Sequence, residues 1–107
     1  MYMYKKENLA KLKKMDSLAP EVMKAFWAFD KAAVAAGAIP AKYKELIAVA
    51  VALTTQCPYC IDTHVKRAKA AGATDEEVAE SIFVAMALRA GGSFAHGSIA
   101  MHALEHK

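Results

Sequence analysis

The sequence predicts an all-α fold, and three observations lead to that prediction. Prolines precede stretches in which apolar residues recur at helical spacing, and glycines follow those stretches. No strand-like alternation is bounded by turn residues, and the one run with a strand-like composition, residues 49–53, lies in a segment long enough to favour a helix. The helix starts lie at Pro20, Pro40 and Pro58, and the helix ends lie at Gly37, Gly72 and Gly91-Gly92.

The sequence pattern in the first half of the chain predicts three helices. Leu9, Leu12 and Met15 recur at helical spacing among lysines, so the first helix has one apolar face and one solvated face. The second and third helices follow prolines. The third is apolar nearly all round over residues 46–53, which is typical of a buried helix. The predicted ranges are 4–15, 20–36 and 41–54.

The second half of the chain predicts three more helices. The fourth begins at Pro58 and includes the second cysteine. The fifth follows a capping box, in which Thr74 and Glu77 satisfy free N–H groups at the helix start. We expect Gly91-Gly92 to end that helix, because glycine is favoured at C-terminal caps. The predicted ranges are 58–71, 75–90 and 94–105, which gives about six helices in a single domain of residues 1–107.

The composition predicts a homo-oligomer. Hydrophobic residues make up 56% of the 107 residues, and the chain contains 24 alanines. Small domains have a high ratio of surface to volume, so a monomer would leave much of this apolar surface in water. Trp27, Phe26 and Phe29 are accordingly assigned to the core or to a subunit interface rather than to a substrate-binding surface.

The charge pattern argues against nucleic-acid and membrane partners. The net charge is only +3. The lysines between Lys5 and Lys14 have no arginine or aromatic residue among them, so they are interpreted as the solvated face of the first helix. The N-terminus lacks the apolar region of a signal peptide, and the uncharged run from Leu46 to Ile61 is too short to span a membrane. We therefore expect a cytoplasmic protein.

The most informative stretch is Gln-Cys-Pro-Tyr-Cys-Ile-Asp-Thr-His at residues 56–64, which contains both cysteines of the chain. If Pro58 occupies the first helical position, Cys57 lies at the N-cap and Cys60 lies in the first turn. Free N–H groups and the helix dipole favour a thiolate there. His64 lies one turn after Cys60, so its imidazole can take the thiol proton. The pattern predicts a redox-active dithiol with its own base.

Other interpretations of the two cysteines remain open. Zinc normally takes four protein ligands in a structural site, and without a second Cys-x-x-Cys pair the others would come from His64, His96 and His102. The chain would then be a small zinc- or partner-binding helical protein. A structural disulfide closing so short a loop adds little stability, and two inert core cysteines are a further alternative. A thioredoxin-like fold is excluded, because its motif requires a βαβ unit.

The spacing of Glu45, Cys57-Pro-Tyr-Cys60 and His64 resembles the Glu-x11-Cys-x2-Cys-x3-His signature of the AhpD-like alkylhydroperoxidases. These proteins belong to the carboxymuconolactone decarboxylase superfamily, and the resemblance extends over about residues 42–103. It implies an all-α fold that assembles as a homotrimer or homohexamer, with peroxide-reducing thiol chemistry and no metal or organic cofactor. The decarboxylase branch generally lacks the cysteine pair, so a decarboxylase-like lyase is the less favoured alternative.

The same resemblance implies a role for each residue of the signature. Cys60 corresponds to the peroxidatic thiol and Cys57 to the resolving thiol, while His64 and Glu45 correspond to a proton relay. The substrate would be a peroxide, and a dithiol or protein reductant would reset the pair. Disulfide reductase activity is the alternative that uses the same two thiols. Tyr59 is a departure, because the best-studied branch of the family has histidine at that position.

Glu45 lies one turn into an otherwise apolar helix, where a carboxylate without a partner would be costly. We therefore expect it to fold back over the dithiol and to share a hydrogen bond or a water with His64, which would orient the imidazole. Tyr59 and His96 are two further side chains that we consider for contact with this group.

Overall fold

We describe residues 5–106 in a computed structural model of the chain. All regular secondary structure among these residues is helical, which confirms the predicted all-α fold. A 3-10 helix leads directly into the first α-helix, and four further α-helices follow. The 3-10 helix spans Lys6–Leu12, and the α-helices are α1 (Lys13–Leu18), α2 (Pro20–Val34), α3 (Ala41–Thr55), α4 (Pro58–Ala70) and α5 (Asp75–Glu105).

The core lies where α3 packs against α4 and the first half of α5. Its buried apolar residues are small, and Val49 of α3, 1% exposed, is the largest side chain that is fully enclosed. The other buried apolar residues are Ala52, Ala68, Ala73 and Ala85. Alanines at these positions let the helix backbones approach closely, so side chains on facing helices are held at short range.

The connection between α3 and α4 is a tight reversal. Gln56 ends α3 in the left-handed conformation, with φ of 56°, and the N–H of Cys57 donates to the carbonyl of Ala52 at 3.1 Å. Pro58 then occupies the first turn of α4, as predicted. The reversal folds α4 back along α3 and places both cysteines at the start of α4.

The break predicted at Gly91-Gly92 is wrong, because α5 runs through both glycines as one helix of 31 residues. Neither glycine has a positive φ, whereas Gly72, which follows α4, has φ of 97°. A glycine inside a helix costs only about 1 kcal/mol relative to alanine. The alanine-rich sequence on both sides outweighs that cost, so the predicted fifth and sixth helices are one element.

The first predicted helix, 4–15, also differs from the structure. Residue 4 lies outside the described residues, and the segment that follows is a 3-10 helix and then the short α1. No residue of either element is buried, and neither N-terminus has a side-chain cap. Most helix stability in proteins comes from tertiary packing of an apolar face, and this segment has little of it. Pro20 restricts Ala19 and ends α1.

The folded chain leaves much apolar surface exposed to solvent. Its radius of gyration is 18.0 Å, compared with about 13 Å for a compact domain of this length. The second half of α5 extends beyond the core, and Phe94 within it is 87% exposed. By length and composition alone α5 could also cross a membrane, a property that it shares with core helices of soluble proteins. Other exposed large side chains are Leu18, Phe29, Phe83, Leu88, Ile99 and Leu104.

The predicted capping box at the start of α5 is confirmed. The N–H of Glu77 donates to Oγ1 of Thr74 at 3.1 Å, and the N–H of Thr74 donates to Oε1 of Glu77 at 2.9 Å. That backbone donor, together with the Lys42 ammonium 3.0 Å from Oε2, holds the pKa of Glu77 below its ordinary value. The box orients the start of α5 where it enters the core.

We expect Thr74→Ala to lower the free energy of unfolding by about 1 kcal/mol, because it removes the acceptor for a free N–H at the start of α5. Thermal and urea unfolding followed by circular dichroism measure this loss. Ser98→Ala is the matched control, since it removes an exposed hydroxyl from the interior of the same helix. Equal stability of the two variants would contradict a stabilising role for the box.

Candidate active site

The two cysteines are joined to each other at the start of α4. Cys57 and Cys60 form a disulfide with their Cα atoms 5.3 Å apart. Cys57 is also the N-cap residue, because its Sγ accepts the N–H of Cys60 at 3.3 Å. One free N–H of the first turn therefore points at a sulfur atom, and a helix N-terminus favours a thiolate once the disulfide is reduced.

Glu45 and His64 form a hydrogen-bonded pair between α3 and α4, which confirms the predicted contact. Nδ1 of His64 lies 2.6 Å from Oε2 of Glu45. The two side chains are 18% and 9% exposed, respectively. A carboxylate oxygen can only accept, so the Nδ1–H of His64 is the donor. The contact orients the ring and leaves Nε2 as the nitrogen available for a second proton.

A cavity of about 550 Å³ lies beside the disulfide, and we call it the dithiol cavity. Cys60 and His64 both line it, whereas Cys57 does not. Cys60 is therefore the sulfur that a molecule in this cavity would meet first. The other residues of α4 that line the cavity are Tyr59, Thr63 and Arg67.

The opposite side of the dithiol cavity is built by the N-terminal segment and α2. Its apolar residues are Leu9, Leu12, Phe26 and Trp27, and its charged residues are Lys13, Asp16 and Asp30. The sequence predicts Trp27 and Phe26 in the core or at an interface, whereas the structure leaves both half-exposed at this cavity.

Polar contacts hold the N-terminal segment and α2 in place. Lys6 pairs with Asp62 of α4 at 3.1 Å. Lys66, one turn along α4, contacts the same carboxylate. The hydrogen bond from Lys66, and then the one from Lys6, holds the pKa of Asp62 below its ordinary value. At the other end, Lys44 Nζ donates to the carbonyl of Ala33 near the end of α2 at 3.0 Å.

The structure brings four of the sequence-predicted site residues into one group and adds Tyr59 at its edge. Cys57, Cys60, Glu45 and His64 lie at the α3–α4 contact. His96, on the distant half of α5, does not line the dithiol cavity, and its Nδ1 lies 3.0 Å from the carbonyl of Gly92. His102 stacks on His106 with ring centres 4.1 Å apart.

Several residues of the site were not predicted from the sequence. Thr63 and Arg67 lie three and seven positions after Cys60, so helical spacing alone could have placed them on its face. The residues contributed by the N-terminal segment and α2 gave no such signal, because their position depends on how that segment folds back. Within residues 5–106, no three His, Cys, Asp or Glu side chains are grouped closely enough to hold one metal ion.

Known proteins resemble the chain in both sequence and fold. Residues 20–103 match the carboxymuconolactone decarboxylase family. The "uncharacterized protein 4 in cox locus" of Paracoccus denitrificans is 49% identical over 81 residues, which are 76% of this chain and 73% of that protein. An alkyl hydroperoxide reductase of Mycobacterium tuberculosis is 38% identical over 64 residues, which are 58% of this chain but 19% of that protein.

A solved structure extends the likeness to the fold. The crystal structure of a carboxymuconolactone decarboxylase family protein from Legionella pneumophila, in its apo form, superposes with a TM-score of 0.74 at 36% identity. The superposition covers 94% of this chain and 89% of that one. With the family match over residues 20–103 and a helical fold shared with a family member, the chain belongs to the carboxymuconolactone decarboxylase family.

Proposed function

We propose that the protein is a thiol-dependent peroxidase of the AhpD-like kind, which reduces a peroxide with Cys60 and Cys57. The observation that supports this most directly is the hydrogen bond between His64 and the buried Glu45, beside a cysteine pair whose second member faces a cavity. The partial match to an alkyl hydroperoxide reductase agrees with this chemistry.

The proposed role of the Glu45–His64 pair is to generate the Cys60 thiolate. With Nδ1 bonded to Glu45, Nε2 of His64 is free to accept the thiol proton. The carboxylate then stabilises the imidazolium that results, as in a catalytic triad. A carboxylate at this depth is costly without a partner, and His64 supplies that partner in both protonation states of the ring.

The reaction divides into three balanced steps. The Cys60 thiolate attacks the terminal oxygen of the peroxide, the O–O bond breaks, and the alkoxide leaves as an alcohol after taking a proton from the His64 imidazolium. Cys60 is then a sulfenic acid, and the Cys57 thiol condenses with it, releasing water and forming the disulfide. An external dithiol reduces the disulfide by thiol exchange and is itself oxidised. This last step would equally support disulfide reductase activity towards a protein partner.

Assembly is a further part of the proposal. We assign the exposed apolar face of α5 to contacts between copies of the chain, in a homotrimer or homohexamer in the cytoplasm. An isolated protomer with this much apolar surface in water would aggregate, and a symmetric oligomer covers the same surface on every copy.

Replacing each cysteine should separate the two thiol roles. We expect Cys60→Ser to abolish peroxide reduction, because the nucleophile is lost, and Cys57→Ser to accumulate a sulfenic acid on Cys60, because no second thiol resolves it. Peroxide consumption with a panel of dithiols and dimedone labelling read by mass spectrometry measure both effects. Zinc content of the wild type is determined in parallel.

Two results would contradict these assignments. A Cys60→Ser variant that keeps its activity and is oxidised on Cys57 would reverse the roles of the two thiols. Stoichiometric zinc that is lost on substituting either cysteine would favour a metal-binding protein instead.

Glu45→Gln should leave the helix content unchanged and impair the thiol. The amide keeps the shape of the side chain but removes the negative charge that stabilises a protonated His64, so the Cys60 thiolate forms at higher pH. We expect the iodoacetamide rate of the reduced protein near pH 7 to fall about tenfold, and the pH profile to move upwards. His64→Gln should move the profile in the same direction. Glu76→Gln, at an exposed position on α5, is the control.

If Glu45 only stabilises the fold, the Glu45→Gln protein will melt at a lower temperature and keep the wild-type alkylation profile. That result would remove Glu45 from the reaction while leaving the cysteine roles unaffected.

Phe94→Glu should break the assembly, because it places a charge in the apolar face of α5. A protomer has a mass of 11.5 kDa, so we expect the wild type to elute at about three or six times that mass and the variant to elute at lower mass. Light scattering coupled to size-exclusion chromatography measures the change. Lys24→Glu, on the exposed surface of α2, is the control for added negative charge. A monomeric wild type would refute the assembly proposal.

A further inference from the structure

The dithiol cavity has two chemically different sides. Cys60 and His64 line one side, and four large apolar side chains from the N-terminal segment and α2 line the other. We call those four residues the apolar wall: Leu9, Leu12, Phe26 and Trp27. A molecule that reaches the Cys60 sulfur therefore places its remaining atoms against the apolar wall.

Trp27 is held in position within the apolar wall. Its ring packs edge-on against Phe26 with ring centres 5.1 Å apart and planes at 63°. Its indole N–H donates to Oδ1 of Asp16 at 3.4 Å, which ties α2 to α1 across the cavity edge. The two contacts together restrain the position of the indole ring.

The size and charge of the dithiol cavity indicate what it accepts. Its volume of about 550 Å³ lies in the range of sites for organic ligands and far exceeds what hydrogen peroxide would fill. Two cations, Lys13 and Arg67, and two carboxylates, Asp16 and Asp30, line it, so their charges balance. Nothing in this balance favours an anionic or a cationic ligand.

The apolar wall gains free energy from a ligand that covers it. Trp27 is 48% exposed and Leu12 is 45% exposed, although both line a concave surface. Covering such side chains with an apolar group is favourable in proportion to the area removed from water. A second copy of the chain at the apolar wall would block access to Cys60. A substrate molecule, in contrast, covers the wall and reaches the Cys60 sulfur at the same time.

Resting on the proposed function, we propose that Trp27, supported by Leu12, is a specificity-determining residue that selects uncharged hydroperoxides with a bulky apolar organic group. The organic group lies against the apolar wall, and the hydroperoxide points towards Cys60 on α4. The Cys60 thiolate takes the terminal oxygen, the O–O bond breaks, and the bulky alkoxide leaves as the alcohol with the proton of the His64 imidazolium. Hydrogen peroxide undergoes the same step, but it has no organic group that could gain binding free energy from the apolar wall.

The test compares kcat/KM for cumene hydroperoxide with kcat/KM for hydrogen peroxide, using the full chain and a dithiol reductant. We expect the wild type to prefer cumene hydroperoxide, and Trp27→Ala to reduce the ratio of the two values about tenfold or more, mainly through cumene hydroperoxide. Leu12→Ala should reduce the ratio less. Phe29→Ala is the matched control, because this ring lies on the same helix, is 70% exposed and does not line the cavity.

A second measurement is independent of turnover. Trp27 is the only tryptophan, so its fluorescence reports on the cavity directly. Cumyl alcohol, the product of the reaction, should shift the Trp27 emission to the blue in a saturable titration, in the wild type and equally in Cys60→Ser. The activity test also includes Trp27→Leu. This variant keeps an apolar side chain at position 27, so it can replace Trp27→Ala if that variant fails to fold.

Each outcome has a defined consequence. A wild type that consumes no hydroperoxide with any dithiol refutes the proposed function, and this inference with it. A wild type that is active but has the same substrate ratio as Trp27→Ala refutes only this inference. Trp27 emission that is already blue-shifted, depends on protein concentration and ignores cumyl alcohol would mean that a second copy covers the wall, which also refutes it.

Discussion

The hydrogen bond between Glu45 and His64 is the interaction on which the site depends. It joins α3 to α4 across 19 positions of sequence, and it does so in a part of the molecule where a lone carboxylate would be strongly disfavoured. Leaving a buried polar group without its hydrogen-bond partner typically costs about 1–3 kcal/mol, so the packing of α3 on α4 and the orientation of the imidazole stabilise each other. The cysteines at the start of α4 are therefore held in a fixed position relative to α3 and the His64 ring.

The small core has consequences for the whole surface. Alanines at the helix contacts bring α3, α4 and α5 close together, but they bury little area, and the large apolar side chains remain outside. The outer half of α5 and the apolar wall are two such surfaces with different surroundings. The first is exposed to solvent among the described residues, and the proposed contact between copies of the chain rests on that exposure. The second faces a cavity that also contains a sulfur atom, which suits a small apolar molecule.

Much of the fold was predictable from local signals. Pro58 marks the start of α4 because its fixed φ suits a first turn, and Thr74 with Glu77 marks the start of α5 because side chains must satisfy free N–H groups there. The same local logic failed at Gly91-Gly92. Glycine is compatible with a helix end and, at a modest cost, with a helix interior, so its presence alone does not distinguish the two. The predicted helix over residues 4–15 was wrong for a related reason. Its apolar residues recur at helical spacing, but none of them is buried in the core.

The sequence by itself determined the all-α class and the register of Cys57, Cys60 and His64, because these depend on backbone preferences and on spacing within two turns of one helix. It also indicated Glu45 as the partner of His64, through the cost of burying a carboxylate and through its family resemblance. Only the tertiary structure decided that Cys60 rather than Cys57 lines the cavity and that Trp27 lies on the opposite side. Those positions follow from how the N-terminal segment and α2 fold back onto α4, a contact between residues far apart in the chain that no local pattern encodes.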